Sequence, residues 1–159
     1  MTERDNLVHR LSRVLAVVKD IDPADPNAAA TLSARLPLHG PELSELAALV
    51  RAGVEQGSWA NRGELPVLWS RVAKADHPGT HGLSIDAVSM TGPGPGHAHP
   101  QGEIDLCFAV SGAPHFDGHE PGWVVYPPGS WHVPTVSGGQ MDILYFLPGG
   151  AIEFGPRPA

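Results

Sequence analysis

Gly96-His97-Ala98-His99-Pro100-Gln101-Gly102-Glu103-Ile104-Asp105-Leu106-Cys107-Phe108 places two histidines and a carboxylate within seven residues. A third histidine, His132, follows about thirty residues on, in Tyr126-Pro127-Pro128-Gly129-Ser130-Trp131-His132. Side chains of an extended chain alternate faces, so His97 and His99 point the same way, and Glu103 keeps that phase if the turn at 100–102 adds no bulge. Three donors then come from one hairpin. Neutral imidazoles with a carboxylate suit a borderline divalent ion such as iron, manganese or zinc, with nickel and copper also compatible. Four protein ligands leave octahedral positions open to substrate or water. The competing reading is a turn-rich strand pair with exposed histidines. The bracketing glycines, the spacing to Glu103 and the later Pro-Pro-Gly-x-x-His occur as a set, which favours a metal site.

The surrounding sequence reads as β-structure. Residues 67–74 and 83–90 have strand character and are joined by a turn containing Pro78 and Gly79; further runs follow at 104–110, 122–126, 135–136, 141–147 and 151–154. Short strands with Gly/Pro turns predict a jelly-roll or small β-barrel, able to hold a ligand in its mouth. The N-terminal third is helical in period. Leu7, Leu11, Val14, Leu15 and Val18 make a stripe over residues 2–20, with Thr2 and Asp5 at its start and Pro23 and Pro26 ending it. Asn27 is placed to cap a short helix over 28–36, and a third helix runs from Pro41 to about Gln56 with Leu43, Leu46, Leu49 and Val50 along one side. The expected organisation is a helical element over residues 1–60, acting as lid or dimerisation unit, and a β-domain over 65–159.

Composition narrows the partners. The chain has 159 residues, a net charge of −7 and only 10 Lys and Arg, none clustered, which argues against a nucleic-acid or anionic-membrane surface. A small-molecule partner is expected. The 19 Gly and 17 Pro fit many turns between short strands. One cysteine allows no internal disulfide, and no stretch approaches the roughly 20 apolar residues of a membrane span, so a cytoplasmic protein is expected.

Other features have bland and functional readings. Gly92-Pro93-Gly94-Pro95-Gly96 lacks the ending of a phosphate loop and reads as a turn. Cys107 reads as a buried structural thiol. Asp105 shares the parity of Glu103; it orients the metal shell, handles protons, or is a core polar group. His115 and His119 flank Phe116-Asp117-Gly118 in what reads as a surface loop at the barrel mouth. Tyr126, Trp131 and Tyr145 are placed either to stack on an aromatic ligand or simply to pack.

The motif set resembles the cupin family. Gly96, His97, His99, Glu103 and Gly112 match its first motif, and Gly122, Pro127, Gly129 and His132 its second. Gly112 lies further from Glu103 than usual, and no asparagine follows His132. The resemblance implies a cupin-type fold and a divalent metal held by His97, His99, Glu103 and His132, often in a homodimer. It leaves the reaction open, because cupins include dioxygenases, isomerases, lyases and non-catalytic binding proteins.

The runs 102–108, 122–136 and 143–154 resemble more narrowly the 4-hydroxylaminobenzoate lyase family of bacterial nitroaromatic degradation. That resemblance implies an aromatic catabolic lyase converting 4-hydroxylaminobenzoate to 3,4-dihydroxybenzoate with release of ammonia. Such chemistry would need proton transfer, for which Asp105 and Glu153 are candidates. It would also need a cation for the substrate carboxylate, for which Arg71 and Lys74 are candidates, and aromatic contacts from Tyr126, Trp131 and Tyr145. The alternatives are another metal cupin enzyme, dioxygenase or isomerase, and a ligand-binding cupin without activity.

Overall fold

The computed structural model describes residues 3–159. Thr2, expected at the first helix start, lies outside them. Helix α1 (Glu3–Arg10) and helix α2 (Ser12–Val18) follow each other with a break at Leu11, whose N–H still donates to the Leu7 carbonyl at 2.9 Å. The expected apolar stripe therefore survives the break. Leu7, Leu11, Val14, Leu15 and Val18 are all buried. Helix α3 (Ala28–Arg35) follows Asn27, which makes no side-chain cap bond. Helix α4 (Pro41–Gln56) starts with proline in its first turn and is closed by Gly57 in the left-handed region.

Nine strands follow among the described residues: β1 (Arg62–Glu64), β2 (Val67–Ala73), β3 (Leu83–Met90), β4 (His97–His99), β5 (Glu103–Phe116), β6 (Gly122–Tyr126), β7 (Ser130–His132), β8 (Val136–Pro148) and β9 (Glu153–Phe154). They make a six-stranded sheet, β1-β2-β3-β8-β5-β6, and a three-stranded one, β7-β4-β9, with antiparallel pairing throughout. The fold is mainly β with N-terminal helices, laid out as a jelly-roll of two sheets and not as one closed barrel. Val136 from the run at 135–136 and the whole run at 141–147 lie in one strand, β8. Gly139 inside it passes so close to β5 that a Cβ would lie 1.9 Å from the Ser111 carbonyl oxygen, so glycine marks a close approach there and not a strand end.

Alternation assigns the two faces of the large sheet. Val72, Ile85, Ala87, Ile104, Leu106, Phe108, Leu144 and Phe146 point outward and share one apolar cluster with the buried residues of the helices. Each buried Leu or Val in that layer stabilises by about 1.5–3 kcal/mol relative to exposure. The Trp123 indole donates to the Leu36 carbonyl at 3.0 Å, fixing α3 to β6. Val88, Met90, Cys107, Val124, Met141, Ile143 and Tyr145 point inward and form the second cluster. The helices thus cover the outer face of the sheet. No helix among the described residues is long and apolar enough to cross a membrane.

The α4 end of this layer offers a test of packing. A Cβ on Gly53 would lie 2.0 Å from Trp59 Cε2, and that ring is held by its Nε1 donating to the Val50 carbonyl at 2.9 Å. Gly53→Ala is expected to cost about 1–3 kcal/mol through overpacking, read as a lower denaturant midpoint at unchanged slope. A wild-type midpoint would mean that Trp59 yields freely.

Candidate metal centre

His97, His99 and Glu103 do not come from one hairpin. Strand β4 pairs with β7 and β9 in the small sheet, whereas β5 pairs with β6 and β8 in the large one. The turn between them crosses from sheet to sheet at Gly102, whose φ of +91° and close approach to Pro23 and the Tyr126 carbonyl suit glycine. The histidines therefore hang from one sheet and the carboxylate stands on the other. His97 lies opposite His132 in the β4–β7 register, which brings the third imidazole to the first two.

The four donors lie within 4.8 Å of one another. His97, His99 and Glu103 are buried, and His132 is nearly so. Glu103 Oε1 is 3.2 Å from His97 Nε2; its Oε2 is 3.2 Å from His99 Nε2 and 3.5 Å from His132 Nε2. Each Nδ1 is occupied elsewhere: His97 with the Pro95 carbonyl at 3.2 Å, His99 with Ser130 Oγ at 2.8 Å, His132 with Asp117 Oδ2 at 2.6 Å. Ser130 Oγ donates its own proton to the Pro127 carbonyl at 2.6 Å, so it accepts from His99. All three Nε2 atoms consequently turn toward Glu103. His99 Nε2 and Glu103 Oε2 are buried without a hydrogen-bond partner. Converging nitrogens, one carboxylate and orphaned buried donor atoms are what a divalent ion requires, so the residues fit such an ion.

Electrostatics agree with that shape. Burial opposes the charge on Glu103, but the imidazoles gathered around it, His132 first and then His97 and His99, outweigh it and hold the carboxyl well below its usual range. Burial likewise opposes charge on His132, yet Asp117 and Glu103 push it up to about 9. Asp105 is different. Burial, reinforced by the negative charge of Glu103, raises its carboxyl well above the ordinary range and favours the neutral acid. The Cys107 thiol is raised by burial first and by Asp105 next, consistent with an inert buried cysteine.

A cavity of about 670 Å³ reaches the cluster on the His97 side. Val67, Val88, Met90, Tyr145, Ile152 and Phe154 supply its apolar walls, and among the described residues Arg71 is the only Arg or Lys in its lining. Arg71, Asp86, Tyr145 and Asp105 are successive partners across β2, β3, β8 and β5, so they form one row on the inner face. Asp86 Oδ1 accepts from Arg71 Nε at 2.8 Å and Oδ2 from Nη2 at 3.2 Å. A shallower depression of about 460 Å³ beside α2, α3 and α4 includes none of these residues.

Tyr145 stands in the cavity wall, its ring 6.4 Å from that of His97. Tyr126 stacks on His99 at 5.3 Å and donates its hydroxyl to Asp117, on the side of the cluster away from the cavity lining. Trp131 and Glu153 both lie opposite Ala98 in the small sheet, hence on the face away from His97 and His99. Trp131 instead donates to the Gly155 carbonyl at 2.9 Å under Arg157, and Glu153 is exposed. Lys74 is exposed and outside the cavity lining. Two residues escaped the sequence reading. Phe154 faces His97 across the β4–β9 register, 5.6 Å between rings, and Asp117 grips His132 from a turn. The alternation of 151–154 could have signalled Phe154; nothing local signalled Asp117.

Comparisons with known sequences agree on one family. The sequence profile described as PnbB, 4-hydroxylaminobenzoate lyase, matches residues 9–154. The chain is similar to a 4-hydroxylaminobenzoate lyase from Pseudomonas putida, 29% identical over 172 aligned residues and 97% of each chain. It is also similar to one from Nocardioides sp. (strain LMS-CY), 32% identical over 123 residues, 71% of this chain and 72% of the other. Among solved structures it is similar to an RmlC-like cupin protein from Ralstonia eutropha JMP134, with TM-score 0.42 and 16% identity over 58% of this chain and 62% of that one. A salicylate 1,2-dioxygenase from Pseudoaminobacter salicylatoxidans gives 0.39 and 13% over 72% and 38%.

Proposed function

The chain belongs to the 4-hydroxylaminobenzoate lyase family, and from that premise we propose that it converts 4-hydroxylaminobenzoate and water to 3,4-dihydroxybenzoate and ammonia, using a divalent metal ion held by His97, His99, Glu103 and His132. The observation that carries the reading is the junction of the His97 side of the cluster with an apolar cavity whose single Arg or Lys among the described residues is Arg71. A bound ion supplies Lewis acidity toward the hydroxylamine oxygen and a seat for water. The guanidinium of Arg71 holds the substrate carboxylate. From β3, where Asp86 steadies that guanidinium, to β5 is two strand spacings, about 10 Å, comparable to the length of a para-substituted benzoate.

The ring then lies along the cavity between Tyr145 and Phe154. Phe154 is 65% exposed, and an aromatic ligand would cover it. Asp105, whose acid form is favoured beside Glu103, is the group proposed to move protons; Glu153 faces the wrong way for that task. Tyr126 and Trp131 serve the site through its histidines and the C-terminal strand. The reaction belongs to aromatic catabolism in the reducing cytoplasm, where Cys107 stays a thiol. A homodimer belongs to the same proposal, but the apolar helical stripes are already buried, which leaves the exposed Leu65 near the β1–β2 edge for a second copy.

The test is ammonia and dihydroxybenzoate release from 4-hydroxylaminobenzoate by protein of measured metal content, beside a chelator-stripped sample, both without oxygen. Release that follows the metal is expected. Release untouched by complete stripping would keep the lyase and remove the ion from its chemistry, whereas no release from the loaded protein would overturn the substrate.

A further inference from the structure

Asp117 occupies the turn Phe116-Asp117-Gly118-His119, which is closed by Phe116 and His119 donating to each other's carbonyls at 2.8 Å. Its φ of +49° is a conformation aspartate tolerates better than most residues. The residue is fastened to Thr135 twice. Its own N–H donates to the Thr135 carbonyl, and its Oδ1 accepts from the Thr135 N–H, both at 2.8 Å. Thr135 stands three residues after His132, so the carboxylate is held in register with the imidazole. Oδ2 then accepts from His132 Nδ1 and from the Tyr126 hydroxyl. The Tyr126 ring lies 4.3 Å from that of His132 and 5.3 Å from that of His99, closing the back of the cluster.

We propose that Asp117, braced by Tyr126 and Thr135, is the positioning residue that turns the Nε2 of His132 toward the metal ion, a role that rests on reading the cluster as a metal site. The donors around the carboxylate leave little choice. Its two oxygens receive three protons, from His132, Tyr126 and Thr135, and a carboxylate can accept them all. The other histidines lean on a carbonyl and a hydroxyl. Of the three Nδ1 atoms in the cluster only that of His132 meets a carboxylate, which both fixes the ring and makes its Nε2 more basic. An asparagine would set its NH₂ either against the Thr135 N–H or against His132. In the second case His132 is relieved by moving its proton to Nε2, the nitrogen meant for the ion.

The experiment measures Zn²⁺ and Co²⁺ affinity by chelator competition, and the visible spectrum of the Co²⁺ form, for wild type, Asp117→Asn, Asp117→Ala and Tyr126→Phe. Gly53→Ala serves as a destabilised control remote from the cluster. Both Asp117 variants are expected to bind about 10- to 100-fold more weakly with an altered Co²⁺ spectrum, Tyr126→Phe less severely, and Gly53→Ala as wild type. If the Asp117 variants do not fold, Tyr126→Phe decides: a weakened affinity with a shifted spectrum supports the role. Wild-type affinity and spectrum in the folded Asp117 variants, or in Tyr126→Phe standing in for them, would overturn it. Failure of the wild type itself to bind either ion stoichiometrically would instead bring down the metal reading, and the role of Asp117 with it.

Discussion

Glu103→Gln is expected to lose bound metal and turnover together while keeping its fold. Glu103 is the only anion among the four clustered donors, and its two oxygens lie 3.2 Å from His97 Nε2 and from His99 Nε2 respectively. Glutamine has the same shape but turns one oxygen into an NH₂ that points protons at imidazole nitrogens or at a cation. It also removes the negative charge nearest a buried divalent ion, where low polarity makes charge count for more than in water. Outer partners of metal ligands are worth about 10- to 100-fold in affinity, and loss of a direct anionic ligand should exceed that range. Ammonia release should fall by about 1,000-fold or more. Metal content by elemental analysis, circular dichroism and the ammonia assay read the three parts separately. A variant that retains stoichiometric metal and full turnover would remove Glu103 from the centre.

Arg71→Met should raise KM for 4-hydroxylaminobenzoate far more than it lowers kcat. Asp86 takes Nε and Nη2 of Arg71, which leaves Nη1 to meet a substrate carboxylate. Removing the guanidinium also leaves Asp86 as an unpaired negative charge in the cavity wall, repelling the same carboxylate. Truncating one member of such a pair costs about 2–5 kcal/mol, a loss in kcat/KM of about 30-fold or more. Phenylhydroxylamine, which lacks the carboxylate, provides the internal comparison, because its turnover should barely distinguish the two proteins. Adding Asp86→Asn to Arg71→Met should recover part of the loss by removing the repulsion. An unchanged KM for the carboxylated substrate would place its anchor elsewhere.

These two residues differ in how far the sequence exposed them. Glu103 sits in a short run with His97 and His99, and strand alternation alone puts the two histidines on one face. Arg71 was one of two cations on an early strand, and the choice between it and Lys74 came only with the cavity, which includes Arg71 and leaves Lys74 in solvent. Glu153 and Trp131 show the opposite outcome. Both lie near the motif in sequence, and a one-residue phase puts both on the far face of the small sheet, opposite Ala98.

Local physics is what the sequence determined by itself. Side-chain period set the helical stripe through Leu7, Leu11 and Val18, proline marked the start of α4, alternation set β3, and the spacing of His97, His99, Glu103 and His132 carried the donor set. Tertiary structure decided which sheet each strand joined, so that histidines from one layer meet a carboxylate from the other. It also decided that the helical stripes cover the outer face and that Asp117 reaches His132 through Thr135. Alternation and capping depend on neighbours a few residues away, whereas strand partnership and side-chain convergence depend on registers between distant segments, which no local pattern encodes.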